Sequence, residues 1–337
     1  MPNHKIAFIT SEDRDTTLVE KGLAGLDYEM NVTVCGSDGE TIKAVKSADL
    51  IVNFSVPMPK AVMDEIDSAV AIVSIGHGFN HIDHNAATEN RIMLVNSAGY
   101  VTEEVSNHII MLLLACSRKL RVLDGMVRAG RWGSEARDLA SAIPNIDGAI
   151  LGIVGLGNIG RATARKAGAF GLKVIAYDPY CRPWDAREFR VELVPSLEAL
   201  AARSDYVSVL VPLNDETRKL VGKRFFETMK PTAYLINTSR GPVVDEAALI
   251  DALAAGQIAG AGIDVFEQEP TPHDNPLLGM DNVIVTPHTA GMSDVARAAG
   301  MLRVGDDAAR ILRGVWPMSL VNPQVQPQVP MRHPGFA

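Results

Sequence analysis

One stretch constrains the fold of this chain more than any other. The apolar run Ile150 to Val154 leads directly into Gly155-Leu156-Gly157-Asn158-Ile159-Gly160, a helix-compatible segment follows, and Asp178 stands at the end of the next apolar run, Leu172 to Tyr177. A lone G-x-G-x-x-G says little. Set between a strand and a helix, with an acid closing the following strand, it predicts a turn that cradles a dinucleotide. Gly155 makes the tight turn, Gly157 lets the backbone approach a pyrophosphate, and Gly160 lets helix and strand pack closely. Asn158 and Ile159 open the helix, whose free N–H groups face the phosphates. Asp178 is placed to accept hydrogen bonds from ribose hydroxyls, and its charge repels a 2′-phosphate. NAD is therefore expected rather than NADP, with Arg182 the one nearby feature that points the other way.

The runs ILGIVG, LKVIAYD, YVSVLVP, AYLINT, AGIDV and NVIVTP alternate with helical stretches, and six strands so spaced predict a doubly wound parallel sheet. Upstream, Lys5–Thr10, Asn31–Val34, Leu50–Asn53, Val70–Ser74 and Ile92–Asn96 predict a second parallel sheet covered on both faces. A chain of 337 residues, 47% of them hydrophobic, exceeds what one core usually holds, so two domains are expected. A single long helix is predicted from about Thr102 to Ala129 as a connector, with Thr102 as its N-cap and Glu103 and Glu104 at the positive end of its dipole. A further helix is expected from about Ser293 to Arg313. The tail from Pro317 to Ala337 carries five prolines and is expected as an extended arm lying on the surface or on a partner subunit.

The 32 Lys and Arg and 40 Asp and Glu are scattered along the chain for a net charge of −8, which leaves no basic face for nucleic acid. The longest apolar run, Ile109 to Cys116, is too short to span a bilayer, and no signal-peptide layout precedes the first strand. Cys35, Cys116 and Cys181 are odd in number and widely spaced, as expected in a reducing compartment. These features predict a cytoplasmic protein with a small-molecule partner and without nucleic-acid or membrane partners.

Three later motifs each close a strand: Asn237-Thr238-Ser239-Arg240-Gly241, Asp264-Val265-Phe266-Glu267-Gln268-Glu269-Pro270, and Thr286-Pro287-His288-Thr289-Ala290-Gly291. The carboxyl ends of strands in a doubly wound sheet line its ligand crevice, so these side chains are expected to converge there. Taken with the glycine-rich turn, in this order and spacing, the chain resembles the D-isomer-specific 2-hydroxyacid dehydrogenase family over residues 5 to 320. The resemblance implies an α/β protein of two doubly wound parallel-sheet domains. A Rossmann NAD-binding domain, residues 100–291, is inserted in a flavodoxin-like substrate domain, residues 1–99 and 292–337.

It implies hydride transfer between NADH and a 2-keto acid or D-2-hydroxy acid. His288 is then the general acid and base, as suits a side chain that titrates near neutrality. Glu269 orients it through the far ring nitrogen, and Arg240 holds the substrate carboxylate and polarises the keto oxygen. Gly76-His77-Gly78 resembles the loop whose amides cradle the same carboxylate, in a site that closes when the domains meet. Asp264 resembles the residue that contacts the nicotinamide carboxamide. Val211, Pro212, Thr217 and Thr238, with Gly291 beyond His288, fall in segments that line the cofactor in relatives. Relatives are usually dimers, and a homodimer is expected here through the connector helix and the Arg131-Trp132 region.

The chain departs from the family pattern in places. His77, with His81 and His84, makes a local histidine cluster, although no ligand spacing completes a metal site and none is expected. Ser106-Asn107-His108 stands where the family usually reads Ala-Glu-His. Substrate choice is assigned to the loop Asn53–Pro59, with Phe54 at its start, and to Met292. That loop lacks the arginines usual in relatives acting on phosphoglycerate, and Lys60 is the nearest cation, so a neutral or moderately apolar 2-keto acid is expected. Thr102-Glu103-Glu104-Val105 also resembles the branch holding the C-terminal-binding-protein corepressors. The alternative reading is thus an NAD(H)-responsive binding protein with weak or vestigial turnover.

Overall fold

Short runs of β-branched and aliphatic residues separated by helices form parallel strands, the interior ones buried on both faces, and this holds twice along the chain. The structure is a computed structural model that describes residues 3–76, 78–97 and 99–333. Two compact units divide it: Met1–Val101 with Ser293–Ala337, and Thr102–Met292.

In the first unit β1 (His4–Thr10), β2 (Tyr28–Val34), β3 (Leu50–Phe54), β4 (Ala71–Ser74) and β5 (Met93–Asn96) form a parallel sheet in the order β2-β1-β3-β4-β5. Alternation sends Ile9, Ile51 and Ile72 to one face and Phe8, Val52 and Val73 to the other, and each face has its own apolar core. The helix Ala296–Leu312 covers the second face with Met301, Val304, Ala308 and Ile311. It crosses the helix Thr17–Gly22 at a glycine pair, where a Cβ on Gly22 would strike the backbone of Gly305.

Over its described length the tail lies on its own unit. Asn322 is fully buried against the edge strand β5: its Oδ1 accepts from the Leu94 N–H at 2.8 Å, and its Nδ2 donates to the Ile92 carbonyl and the Thr88 hydroxyl, each at 3.0 Å. The edge is thereby covered, as an open parallel edge requires.

In the second unit β6 (Ile150–Val154), β7 (Lys173–Tyr177), β8 (Val191–Leu193), β9 (Tyr206–Val209), β10 (Tyr234–Asn237), β11 (Gly260–Ile263) and β12 (Val283–Val285) lie in the order β12-β11-β10-β9-β6-β7-β8, all parallel. The order reverses between β6 and β9, which puts the glycine-rich turn after β6 at the topological switch point. The six expected strands are joined by a seventh, β8, whose three residues are too few for a readable alternation.

The expected single connector helix is in fact two. The helix Thr102–Ser117 ends, Lys119 turns into the left-handed region at φ +53°, and a second helix runs Leu120–Arg128. Thr102 lies within the first helix rather than capping it. The break follows from burial. Ile109, Leu112 and Leu113 are buried, whereas Leu120–Arg128 buries only Met126. Glu103 ties the first helix to Arg165 and Lys166 of the helix Asn158–Ala169, each at 2.8 Å. Among the described residues no helix is long and apolar enough to cross a membrane.

Candidate active site

The second unit collects polar side chains at the carboxyl edge of its sheet because each strand there ends in a turn that needs hydrogen-bonding residues. The turn after β6 comes first. Gly155 adopts φ +96°, and a Cβ there would stand 2.9 Å from Val211 Cγ1, so only glycine lets the turn pass beneath the loop that follows β9. Gly157 is the helix N-cap residue, and its Cβ position faces open space. The first N–H groups of the helix that starts at Asn158 and Ile159 have no carbonyl of their own turn to bond, which suits a phosphate. Gly160 packs against the Gly155 carbonyl closely enough to exclude a side chain.

Asp178 is oriented by backbone N–H groups: Leu156 donates to Oδ2 at 2.8 Å, and Tyr180 and Cys181 donate to Oδ1 at 2.9 and 3.1 Å. Oδ2 keeps an acceptor position. Arg182 is engaged by Asp185 at 3.0 Å and lies over the Trp184 ring. Pro212 and Thr217 belong to one turn, where the Thr217 hydroxyl donates to the Pro212 carbonyl at 2.6 Å. Thr238, just past β10, is buried, and its Oγ1 finds no hydrogen-bond partner among the described residues. An orphaned hydroxyl, a side-chain-free cradle and a fixed acid together fit a dinucleotide on this edge.

The three strand-end loops are locked to one another. Gly241 lies so close to Phe266 that a Cβ would overlap its carbonyl, which brings the segment carrying Arg240 against the one carrying Glu269. Arg240 is half-buried, and its Nη1 donates to the Ser239 carbonyl at 2.6 Å. Burial lowers its pKa from the usual arginine value, and the charge of Glu269 opposes that shift. Glu269 Oε1 accepts from the Phe266 N–H at 3.0 Å, and Oε2 stands 2.7 Å from His288 Nδ1. Burial works against the Glu269 charge. The hydrogen bonds from His288 and Phe266, together with the Arg240 and His288 charges, outweigh it and hold the carboxyl below its ordinary range.

His288 adopts φ +53°, a strained conformation for a residue with a side chain. Its N–H donates to the Asp264 carbonyl at 2.8 Å. Asp264 is fully buried; its carboxylate accepts from Thr286 Oγ1 at 2.5 Å and from the N–H groups of Thr289 and Ala290, both at 2.9 Å. His108, on the helix Thr102–Ser117, places Nε2 3.0 Å from Thr286 Oγ1. Burial lowers the His108 pKa, and the Asp264 charge offsets part of that. Thr286 and His108 were not singled out as site residues from the sequence, although the altered Ser106-Asn107-His108 pattern marked the position. Gly291 and Met292 continue the loop, with Met292 71% exposed.

On the first unit, Asn53 is buried and brackets the next turn, bonding the Val56 N–H and carbonyl, each at 2.9 Å. Phe54 carries the guanidinium of Arg14 4.0 Å above its ring. That cation comes from the segment after β1, outside the loop in which the sequence has none. Lys60 is occupied by Asp64 and Glu89. Gly76 takes φ +109° after β4, Gly78 is half-buried, and His77 lies outside the described residues. His84 opens the helix His84–Glu89 and sets its ring edge-on to Phe79.

Residues 110–290 match the NAD binding domain of the D-isomer specific 2-hydroxyacid dehydrogenases. The chain is 37% identical to a glyoxylate reductase of Korarchaeum cryptofilum over 98% of each chain. Among solved structures it is similar to D-mandelate dehydrogenase of Rhodotorula graminis, with a TM-score of 0.86 and 26% identity over 98% of this chain and 100% of that one. It is likewise similar to an NADPH-dependent glyoxylate/hydroxypyruvate reductase of Sinorhizobium meliloti, solved with NADP and malonate, with a TM-score of 0.83 and 29% identity over 98% and 100% of the two chains. A nucleotide cradle at the switch point of a parallel sheet, with an acid-paired histidine on the same edge, defines a dinucleotide-binding α/β protein. The chain belongs to the D-isomer-specific 2-hydroxyacid dehydrogenase family.

Proposed function

We propose that the protein is an NADH-dependent reductase of small, unphosphorylated 2-keto acids of the glyoxylate and hydroxypyruvate class, forming the D-2-hydroxy acid reversibly. The observation that carries this reading is the 2.7 Å contact of His288 with Glu269, beside the half-buried guanidinium of Arg240. Reduced nicotinamide, when bound, supplies the hydride to the substrate's C2. Arg240 offers a rigid, permanently charged fork to the carboxylate and the keto oxygen. Glu269 takes the Nδ1 proton of His288 in a hydrogen bond, which leaves Nε2 as the atom that exchanges a proton with the oxygen on C2. In the reverse direction the same Nε2 removes the hydroxyl proton.

NAD is the proposed partner of Gly155, Gly157, Asn158, Ile159 and Gly160. The Asp178 charge is held in place by three amides, and Arg182 is committed to Asp185, an arrangement that disfavours a 2′-phosphate. Asp264, which anchors the loop that carries His288, is proposed to contact the nicotinamide carboxamide. Phe54, backed by Arg14, is proposed to select the substrate side chain, and the amides at Gly76 and Gly78 to bind its carboxylate. The helices Leu120–Arg128 and Ser134–Ser141 bury only Met126 between them, and Leu120, Val127 and the intervening Trp132 are exposed, which supports a homodimer through this region. Sedimentation at 36.2 kDa rather than twice that mass would refute the dimer. Free, separate cysteines agree with a cytoplasmic setting.

The test follows NADH absorbance with glyoxylate, hydroxypyruvate, pyruvate, branched and aromatic 2-keto acids and 3-phosphohydroxypyruvate, with NADPH in parallel. Turnover on an unphosphorylated acid is the expected result. Tight NADH binding with no turnover on any acid would replace this reading with the dinucleotide-responsive binding protein.

A further inference from the structure

We propose that His108 is a positioning residue for His288, acting through a hydrogen-bonded relay that runs from His108 to Thr286 to Asp264 and so into the backbone of the loop Thr286–Gly291. The inference rests on the acid–base reading of His288 and extends it to a residue on a different element of the same unit.

Proton counting sets the direction of the relay. Thr286 has one hydroxyl proton, and the 2.5 Å contact with Asp264 Oδ1 commits it to the carboxylate. At 3.0 Å from Thr286 Oγ1, His108 Nε2 is then the donor and carries the proton. The ring is 14% exposed and 3.6 Å from Asp264 Oδ1. Its burial favours the neutral form, so a neutral donor feeds a buried carboxylate through a hydroxyl.

The charged surroundings of His108 are simple. Asp264 faces it from the end of β11. Lys166, on the packed helix Asn158–Ala169, is committed to Glu103, Ser106 and Asn107 on the same helix as His108. Arg165 on that packed helix is paired with Glu103, and on the packed helix Leu120–Arg128 Arg121 is bonded to the Met280 and Val283 carbonyls and Asp124 is paired with Arg128. Strands β10 and β12, which also pack there, hold no charged side chain.

The Asp264 end explains why the relay matters. Its carboxylate holds the Thr289 and Ala290 amides and its carbonyl holds the His288 amide, so three consecutive residues hang on one side chain and its backbone. Those bonds sustain the left-handed conformation of His288, which places the ring against Glu269. Without His108, the Thr286 hydroxyl is free to turn from Asp264, the carboxylate loses one of the three bonds that hold it, and the loop relaxes. The proton-exchanging nitrogen then drifts from its line although no residue that touches substrate has changed.

The test compares His108→Phe and Thr286→Val, which keep size and remove the hydrogen bond, with His108→Gln and Thr286→Ser, which keep a donor and a hydroxyl. His108→Phe and Thr286→Val are each expected to lower kcat about tenfold or more while KM for the keto acid stays within about threefold, since a lost bond to a charged group is of that size. His108→Gln and Thr286→Ser should recover most of the loss, and the Phe/Val double variant should be no worse than the poorer single one. Hydrogen exchange at the Thr289 and Ala290 amides should quicken in both deficient variants. Unchanged exchange together with unchanged kcat, equal loss in the Gln and Phe variants, or multiplying losses in the double variant would each overturn the relay. His288→Asn with normal turnover would instead overturn the acid–base reading, and amide exchange would then judge the relay by itself.

Discussion

Gly241 lies against the Phe266 carbonyl with no room for a Cβ between them, so two loops that leave neighbouring strands, one with Arg240 and one with Glu269, meet backbone to backbone. A methyl group at this point has nowhere to go, because what it meets is main chain rather than the end of a flexible side chain. Gly241→Ala is expected to cost about 2–3 kcal/mol of stability as overpacking and to separate Arg240 from Glu269. A denaturant midpoint shifted to lower concentration, together with reduced kcat, is the expected measurement. An unchanged midpoint would mean that the loops yield freely.

His288 and Glu269 are expected to contribute unequally. His288→Asn removes the proton-exchanging nitrogen and should lower kcat by about 10²–10⁴-fold. Glu269→Gln keeps a partner for Nδ1 but no charge, and should lower kcat by a smaller factor. NADH affinity, read by fluorescence titration, should be nearly unchanged in both, since neither residue belongs to the glycine-rich cradle.

The acid limb of stability carries a definite sign. Glu269 has a folded-state pKa below its ordinary value of 4.5, so it stabilises the native state above that pH, and the contribution is lost as pH falls through the lower folded value. His108 works in the same direction in its own window. Its folded pKa lies below the ordinary 6.5, so the unfolded chain takes up the proton first, and stability declines as pH falls from 6.5 toward the folded value. Thermal unfolding against pH should show the difference between wild type and His108→Gln changing in the window just below 6.5, and that between wild type and Glu269→Gln changing only below about 4.5. The reverse order would contradict both assignments.

Cofactor choice is assigned to Asp178. Asp178→Ala removes the fixed charge and the ribose acceptor together, and is expected to raise KM for NADH about tenfold. KM for NADPH should stay level or fall. An unchanged ratio of the two efficiencies would remove Asp178 from the account.

Much of the fold was readable because parallel sheets leave a local trace. Strands buried on both faces are nearly continuous apolar runs, and the runs around Ile6, Leu50, Ile72, Leu151 and Leu235 stood out for that reason. The glycine-rich turn was readable because its requirements lie within six residues: a positive φ at Gly155, an open cradle at Gly157 and close packing at Gly160. β8 escaped notice because three residues are too few to show a period, and the helix break escaped because Lys119 is an ordinary residue in an unusual conformation.

What the sequence determined by itself was the pair of parallel sheets, the nucleotide turn, and the set of polar residues that strand ends would carry, since each depends on neighbours a few positions apart. Only the tertiary structure decided which of those residues meet. His288 finds Glu269 across nineteen positions, His108 reaches Thr286 across 178, Asn322 seals β5 from the far end of the chain, and Arg14 crosses from β1 to lie on Phe54. None of these pairs leaves a local period or a turn signature. Each exists because packing closes loops between distant segments, and the order of the strands, rather than the spacing of the residues, sets the partner.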